Sequence, residues 1–178
     1  MQAFCRNLSV LLFDSQKNTR IDFSGFISLT DQTFAMKNLF DISDTQEIIT
    51  RLEKLQVDAP RQWGKMTSAQ MLAHCKIALE VAADKLNLAH YLNGPHLGPF
   101  VKKSWLGEKP FQKDSPTDPH FKMTMEKNFE KEKTELTSLI RAFQSGGAEK
   151  CTNRKHSFFG TLTKEEWAVL MYKHLDHQ

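Results

Sequence analysis

Apolar residues spaced three and four positions apart recur in four separate segments of this 178-residue chain. This helical period constrains the fold more than any other feature of the sequence. Two of the segments begin with a capping box, Thr67 with Gln70 and Thr163 with Glu166, in which paired side chains satisfy free amides at a helix start. Amphipathic helices bury their apolar stripes by packing on one another. We therefore predict an all-α protein.

The stripes and their caps predict four helices, at about residues 44–56, 67–86, 125–143 and 163–178. Asp44 is the expected N-cap of the first helix, and the glycine pair Gly146–Gly147 is expected to end the third. No Gly, Asn or Pro closes the last helix before Gln178. We interpret this ending as a C-terminal truncation.

Residues 87–124 interrupt the helical pattern. They contain five of the six prolines of the chain and several glycines. Connections of this length inside a domain are commonly lids or linkers. Because large apolar residues such as Trp105 and Phe111 are embedded in this segment, we predict a long loop that packs over the helices.

The first 35 residues differ from the rest of the chain. They are rich in Ser, Thr, Asn, Asp and Phe and show no sustained helical period. We expect a poorly ordered N-terminal extension at 1–35 and one helical domain at 36–178. Met36 stands where the regular pattern begins, so it is an alternative translation start.

Charge, apolar runs and cysteines exclude several classes of protein. The 24 basic and 21 acidic residues are spread along the chain and leave a formal charge of +3. This argues against a nucleic-acid binder, which concentrates Lys and Arg in one patch. No apolar run approaches the roughly 20 residues that a membrane span needs. The three cysteines are far apart, which predicts reduced thiols and a cytoplasmic protein.

Three histidines are candidates for a metal site. His74 lies beside the inward stripe of the second helix, and His174 and His177 lie three residues apart on the last helix. A buried neutral imidazole needs partners for both ring nitrogens, and a metal ion is one such partner. Backbone or carboxylate partners are the alternative. Three histidines from two helices match a catalytic site that keeps a fourth position open.

Other chemistries find no support in the sequence. The phosphate-binding, dinucleotide-binding and serine-hydrolase motifs are absent, and we assign no catalytic residue or organic cofactor site. Cys75 is expected to be a small core residue. His156 and Asp176 are candidate bases, although His156 also suits a capping or packing role near the last helix and Asp176 suits a solvent-facing position.

Three segments carry a resemblance to a known superfamily. WGKMTSAQMLAHC (63–75), KDSPTDPHF (113–121) and HSFFGTLTKEEWAVLMYKHLDHQ (156–178) resemble the DinB/YfiT superfamily, and more narrowly a bacterial branch defined only as a domain of unknown function. The resemblance covers residues 36–178. It implies a four-helix bundle of up-down-down-up type with a long crossover loop between helices 2 and 3.

The resemblance also implies a divalent metal ion, either zinc, nickel, iron or manganese. Its ligands would be His74 from the second helix and two residues from the last helix. The superfamily places the latter pair four residues apart, which selects His174 and Gln178. We predict His177 as the third ligand. A carbonyl oxygen of Gln178, or a site with only two good ligands, remains open.

Two functions of different classes follow from the resemblance. The first is a metal-dependent transferase or hydrolase that acts on a small molecule, in the transferase case a low-molecular-weight thiol. The second is a non-catalytic helical binding protein whose metal site is degenerate. Nucleic acid and membranes are not expected as partners, and a homodimer is left open.

Overall fold

The structure, a computed structural model, describes residues 36–87, 94–115 and 119–178. Its helices are α1 (Ile42–Lys54), α2 (Ser68–Ala82), α3 (Gly94–Trp105), α4 (Phe129–Lys150) and α5 (Lys164–His177), with one 3₁₀ turn at Pro119–Phe121. These ranges contain no strand, and the all-α prediction is confirmed. The extension expected at residues 1–35 lies outside the described residues. None of the described helices is both long and apolar enough to cross a membrane.

Both predicted capping boxes are confirmed. The Thr67 amide donates to Gln70 Oε1 at 2.9 Å, and the Thr163 amide donates to Glu166 Oε2 at 2.8 Å. In each box the threonine side chain accepts from the backbone amide of its partner. The starts of α2 and α5 are therefore determined by local sequence.

Several predicted helix ends were misplaced, among them the start of the first helix and the end of the second. The first helix begins at Ile42, because Asp41 rather than Asp44 is its N-cap and accepts from the amides of Ser43 and Asp44. The second helix ends at Ala82, four residues before the predicted end, and Asp84 then adopts a positive φ of 59°. A short polar side chain tolerates this left-handed backbone better than most residues do.

The third predicted helix corresponds to α4 and begins at Phe129, after its N-cap Asn128. The glycine pair does not end it as predicted: Gly147 interrupts the helix with φ of 54°, and helical backbone resumes and continues to Lys150. This φ is accessible to glycine at little cost. The predicted inward residues of α4 are buried, namely Phe129, Leu136, Leu139, Ile140 and Phe143.

The prediction of an unbroken loop at 87–124 was wrong, because α3 forms inside it. Its prolines and glycines hide the helix in the sequence, but tertiary contacts hold it. A Cβ on Gly98 would lie 1.7 Å from the Phe158 carbonyl oxygen, so only glycine allows this close approach. Lys102 of α3 also pairs with Glu166 of α5 at 2.8 Å.

Contacts between helices establish their directions. α2 runs parallel to α4, because Lys76 pairs with Glu132 early in α4 while the Thr152 amide, just after α4, donates to the Ala82 carbonyl. Lys164, at the start of α5, donates to the Thr152 carbonyl at 2.8 Å. The start of α5 therefore lies near the end of α2, and these two helices are antiparallel.

α1 completes the arrangement. It is antiparallel to α4, since Lys133 near the start of α4 donates to the Leu55 carbonyl after α1 at 2.9 Å. The ring of Phe143, late in α4, stacks on Phe40, which precedes α1, at 5.3 Å. α1 is parallel to α5, whose late residue Asp176 pairs with Arg51 at 2.6 Å. One apolar core lies between these four helices.

Candidate metal centre

A cleft of about 850 Å³ lies where α2 begins and α5 ends. Its walls come from the α1–α2 connection, the first turns of α2, the segments 114–115 and 121–124, and the end of α5. His74 and His177 both line this cleft. Two of the three predicted ligands therefore share one cavity of a size typical for small-molecule sites.

His74 is held in one orientation by its backbone partner. The residue is only 3% exposed, and its Nδ1 lies 2.9 Å from the carbonyl oxygen of Phe121. Because a carbonyl only accepts hydrogen bonds, Nδ1 carries the proton and donates. Burial lowers the pKa of His74, and the neutral ring then keeps a lone pair on Nε2. Metal-binding histidines are commonly fixed by this kind of backbone contact.

His174 lies against His74 and lacks a partner for one nitrogen. The ring centroids are 4.8 Å apart and the ring planes are inclined by 26°. The Nε2 atom is buried and forms no hydrogen bond within the described ranges. Burial, together with smaller contributions from the neighbouring His74 and His177, lowers the pKa of His174 to about 3. The ring is therefore neutral at pH 7.

The separation of these two rings suits a shared cation. Imidazole nitrogens bind zinc at ~2.0–2.1 Å, which places the centroids of two ligating rings about 4.6–5.3 Å apart for angles near 90–110° at the metal. The observed 4.8 Å falls inside this interval. A cation would also supply a partner for the buried His174 Nε2. The His74–His174 centroid separation is therefore one that two ligands of a single divalent ion would have.

His177 lies apart from that pair. Its ring packs between Trp63, at 4.9 Å, and Phe111, at 5.8 Å. Over the ranges that the structure describes, no three His, Cys, Asp or Glu side chains are grouped closely enough to hold a metal ion. The participation of His177 therefore stays a prediction, as does that of Gln178, which lines the same cleft.

Lys173 fastens the segment after α3 to α5, beside the predicted ligands. Its ammonium donates to the carbonyls of Trp105 at 2.6 Å and Lys109 at 2.8 Å, and also to that of Gly107. It lies 5.1 Å from the ring centroid of Phe111, the residue that packs on His177. The sequence carries no signal for this role, because the acceptors are backbone atoms 64 to 68 residues away.

Comparison with known families identifies the domain. Residues 35–178 match a family model described as "Protein of unknown function (DUF1569)". The chain belongs to this family. The expectation of a domain of unknown function is confirmed, whereas nothing in the match links DUF1569 to the DinB/YfiT superfamily. No curated protein and no solved structure matches the chain.

The remaining candidates in this DUF1569 chain have structural contacts. His156 Nδ1 accepts from the amides of Phe158 and Phe159, at 3.0 and 3.2 Å, as suits its expected packing role. Asp176 is engaged by Arg51 at 2.6 Å. Cys75 is a core residue whose thiol pKa burial raises to about 12, so the reactive thiolate is not formed near neutral pH.

Proposed function

We propose that this domain binds a divalent transition-metal ion through His74 and His174, and that His177 becomes the third ligand when its ring moves away from Trp63 and Phe111. The buried Nε2 of His174 carries the proposal, because it has no partner among the described residues and lies beside an imidazole already fixed by the Phe121 carbonyl. Neutral imidazole donors favour zinc, nickel or iron over manganese, which prefers oxygen ligands.

The helix directions support the proposed DinB-like architecture. α1 and α5 run one way, and α2 and α4 run the other way. In chain order this is the up-down-down-up arrangement of a four-helix bundle. Parallel neighbours such as α2 and α4 require a long crossover, and residues 83–128 supply a connection of that length. Bundles of this kind build metal sites from inward side chains on facing helices, and His74 of α2 and His174 of α5 would form such a site.

The proposed reaction is metal-dependent transfer of a low-molecular-weight thiol, or hydrolysis. A bound divalent ion would supply Lewis acidity, which lowers the pKa of a thiol or water. His74 and His174 would hold the ion as neutral donors, while Trp63 and Phe121 give the cleft apolar walls for the substrate. The chain's own sulfhydryl Cys75 is too buried to act as nucleophile.

A second candidate function is a non-catalytic binding protein with a degenerate metal site. One observation favours it: Asp176, the carboxylate nearest in sequence to the predicted ligands, is paired with Arg51 rather than directed at the histidine pair. This leaves no assigned general base. Binding without turnover would then be the whole activity.

Calorimetric titration of chelator-treated protein with Zn²⁺ and with Ni²⁺ tests the metal site. Wild type is expected to bind one ion per chain, and His74→Ala and His174→Ala to lose at least a hundred-fold in affinity. His120→Ala is the matched control, because His120 is an exposed histidine near the same cleft that is not a proposed ligand. Unchanged binding by His174→Ala would refute the site.

Turnover separates the two functions. Metal-loaded wild type, apoprotein and His174→Ala are incubated with 1-chloro-2,4-dinitrobenzene and a low-molecular-weight thiol, and with a panel of activated esters and amides. A thioether or hydrolysis product formed only by the metal-loaded wild type supports the enzyme. Metal binding without turnover on any substrate supports the binding protein.

A further inference from the structure

We propose that the cleft beside His74 and His177 binds an anionic small molecule that carries an apolar group. This adds a substrate class to the proposed function, and it rests on that function only in taking the cleft as the ligand site. The proposal depends on two independent features of the cleft, its unbalanced charge and its apolar wall.

Cations outnumber anions around the cleft. Arg61, Lys65 and Lys122 line it, and the Lys113 ammonium lies 5.3 Å from the Trp63 ring centroid on the same wall. Asp114 is the one acidic side chain among the described lining residues. Within the described ranges, none of the four cations forms an ion pair with a carboxylate.

Cations elsewhere in the protein are used differently. Lys76 binds two carboxylates between α2 and α4, at 2.5 and 2.6 Å, and Lys102 pairs with Glu166. Lys173 is saturated by three backbone carbonyls. These contacts join helices, whereas Arg61, Lys65 and Lys122 line the cleft as exposed cations without a carboxylate partner among the described residues. A concave surface with an excess of one sign of charge concentrates ligands of the opposite sign.

The wall beneath these charges is apolar. Aromatic rings and thioethers form it, from Trp63, Phe121, Met66, Met71 and Met123. Methionine side chains adapt to irregular shapes and contact aromatic groups favourably. A ligand that fits both features has a carboxylate, sulfonate or phosphate at the rim and an aliphatic or aromatic body on the wall. An amine of the same shape is repelled.

A matched series of ligands tests the charge. Binding of 6-phenylhexanoate, 6-phenylhexan-1-ol and 6-phenylhexylamine is measured by calorimetry on metal-free protein in EDTA and on metal-loaded protein. The carboxylate is expected to bind at least ten-fold more tightly than the amine, with the alcohol between them, and its advantage is expected to shrink with added salt. Equal affinities for carboxylate and amine, or no binding of any of the three, would overturn the proposal.

Charge-neutralising variants locate the site. Arg61→Gln/Lys122→Gln is expected to lower affinity for the carboxylate about ten-fold and to leave the alcohol unchanged. Lys150→Gln/Lys155→Gln is the control, since it removes the same net charge from exposed lysines at and just after the far end of α4. Equal losses in both double variants would show that the effect is only net charge. Thermal melts of all variants verify that they are folded.

The metal site and the anion site can fail separately. His174→Ala removes the proposed metal but none of the four cations, so its selectivity for the carboxylate in EDTA is expected to equal that of metal-free wild type. If the carboxylate binds only to metal-loaded protein and is insensitive to Arg61→Gln/Lys122→Gln, the anion proposal is wrong and the metal proposal stands. If the protein takes up no metal but still prefers the carboxylate, the metal proposal is wrong and the anion proposal stands.

Discussion

Replacing His174 by leucine should stabilise the metal-free protein while it destroys metal binding. The imidazole Nε2 is buried without a hydrogen-bond partner in the described structure, whereas the neighbouring residues on this face of α5, Trp167, Leu170 and Met171, belong to the core. Leucine is of similar size and has no polar atom to satisfy. His174→Leu therefore removes the electrostatic cost and keeps most of the packing.

The magnitude follows from the cost of an unpaired polar atom. A buried donor or acceptor without a partner costs ~1–3 kcal/mol, and small packing differences take back part of this gain. We expect His174→Leu to raise the free energy of unfolding in EDTA by about 1–2 kcal/mol. For a domain of this size each kcal/mol corresponds to ~2–4 °C in Tm.

Bound metal should reverse the order of stability of wild type and His174→Leu. A ligand that binds only the folded state at a hundred times its Kd adds about 2.7 kcal/mol of stability. Wild type should gain this amount from Zn²⁺ or Ni²⁺, and His174→Leu should gain nothing. The two melting curves are therefore expected to cross, with the variant more stable in EDTA and the wild type more stable in metal.

Thermal unfolding followed by circular dichroism measures both conditions. Met171→Leu is the matched control, because it exchanges two apolar side chains of similar volume on the same helix and should change Tm little in either buffer. A variant less stable than wild type in EDTA would refute the reasoning, since it would mean that the His174 nitrogen has a stabilising partner. A variant that still gains stability from metal would refute His174 as a ligand.

Three further predictions concern stability. Burial holds the pKa of His174 in the folded state at about 3, below its ordinary value of 6.5, so only the unfolded state takes up its proton as pH falls between these values. The free energy of unfolding of metal-free wild type should therefore fall, relative to that of His174→Leu, by up to ~1.4 kcal/mol per pH unit below about pH 6.5. The pH dependence of urea midpoints measures this difference. Lys173→Met leaves three carbonyls without their ammonium donor and should cost ~1–3 kcal/mol, with faster proteolysis at 105–109 if the segment is released. Gly98→Ala should lower Tm, because its Cβ would clash with the Phe158 carbonyl oxygen, whereas alanine at a helix position without that contact is worth about 1 kcal/mol over glycine. An increase in Tm would show that α3 is not docked on Phe158.

Local chemistry explains why most of the helices could be predicted. A capping box is completed within four residues, so Thr67–Gln70 and Thr163–Glu166 place the starts of α2 and α5 without reference to the fold. The first helix shows the limit of the same rule. Asp41 and Asp44 are both acceptable caps in sequence, and the structure uses Asp41.

The candidate metal site was likewise predictable only in part from the sequence. Helical spacing was sufficient to direct His174 inward with Trp167, Leu170 and Met171, and to place His74 beside a buried stripe. Spacing also suggested that His177 lies near His174, but side chains three residues apart on a helix diverge enough to meet different neighbours. Trp63 and Phe111, from two distant segments, hold the His177 ring at the cleft instead.

The sequence alone determined an all-α domain, its capped helices and two of its inward histidines, because each depends on residues within one or two helical turns. Tertiary structure decided α3, the Lys173 contacts and the contact between His74 and His174. These features depend on backbone atoms or rings that are 59 to 100 residues apart in the chain, such as Lys102 with Thr161 and His74 with His174. A carbonyl has no side-chain signature, so neither the Phe121 oxygen that orients His74 nor the three oxygens that hold Lys173 could be found before the chain was folded.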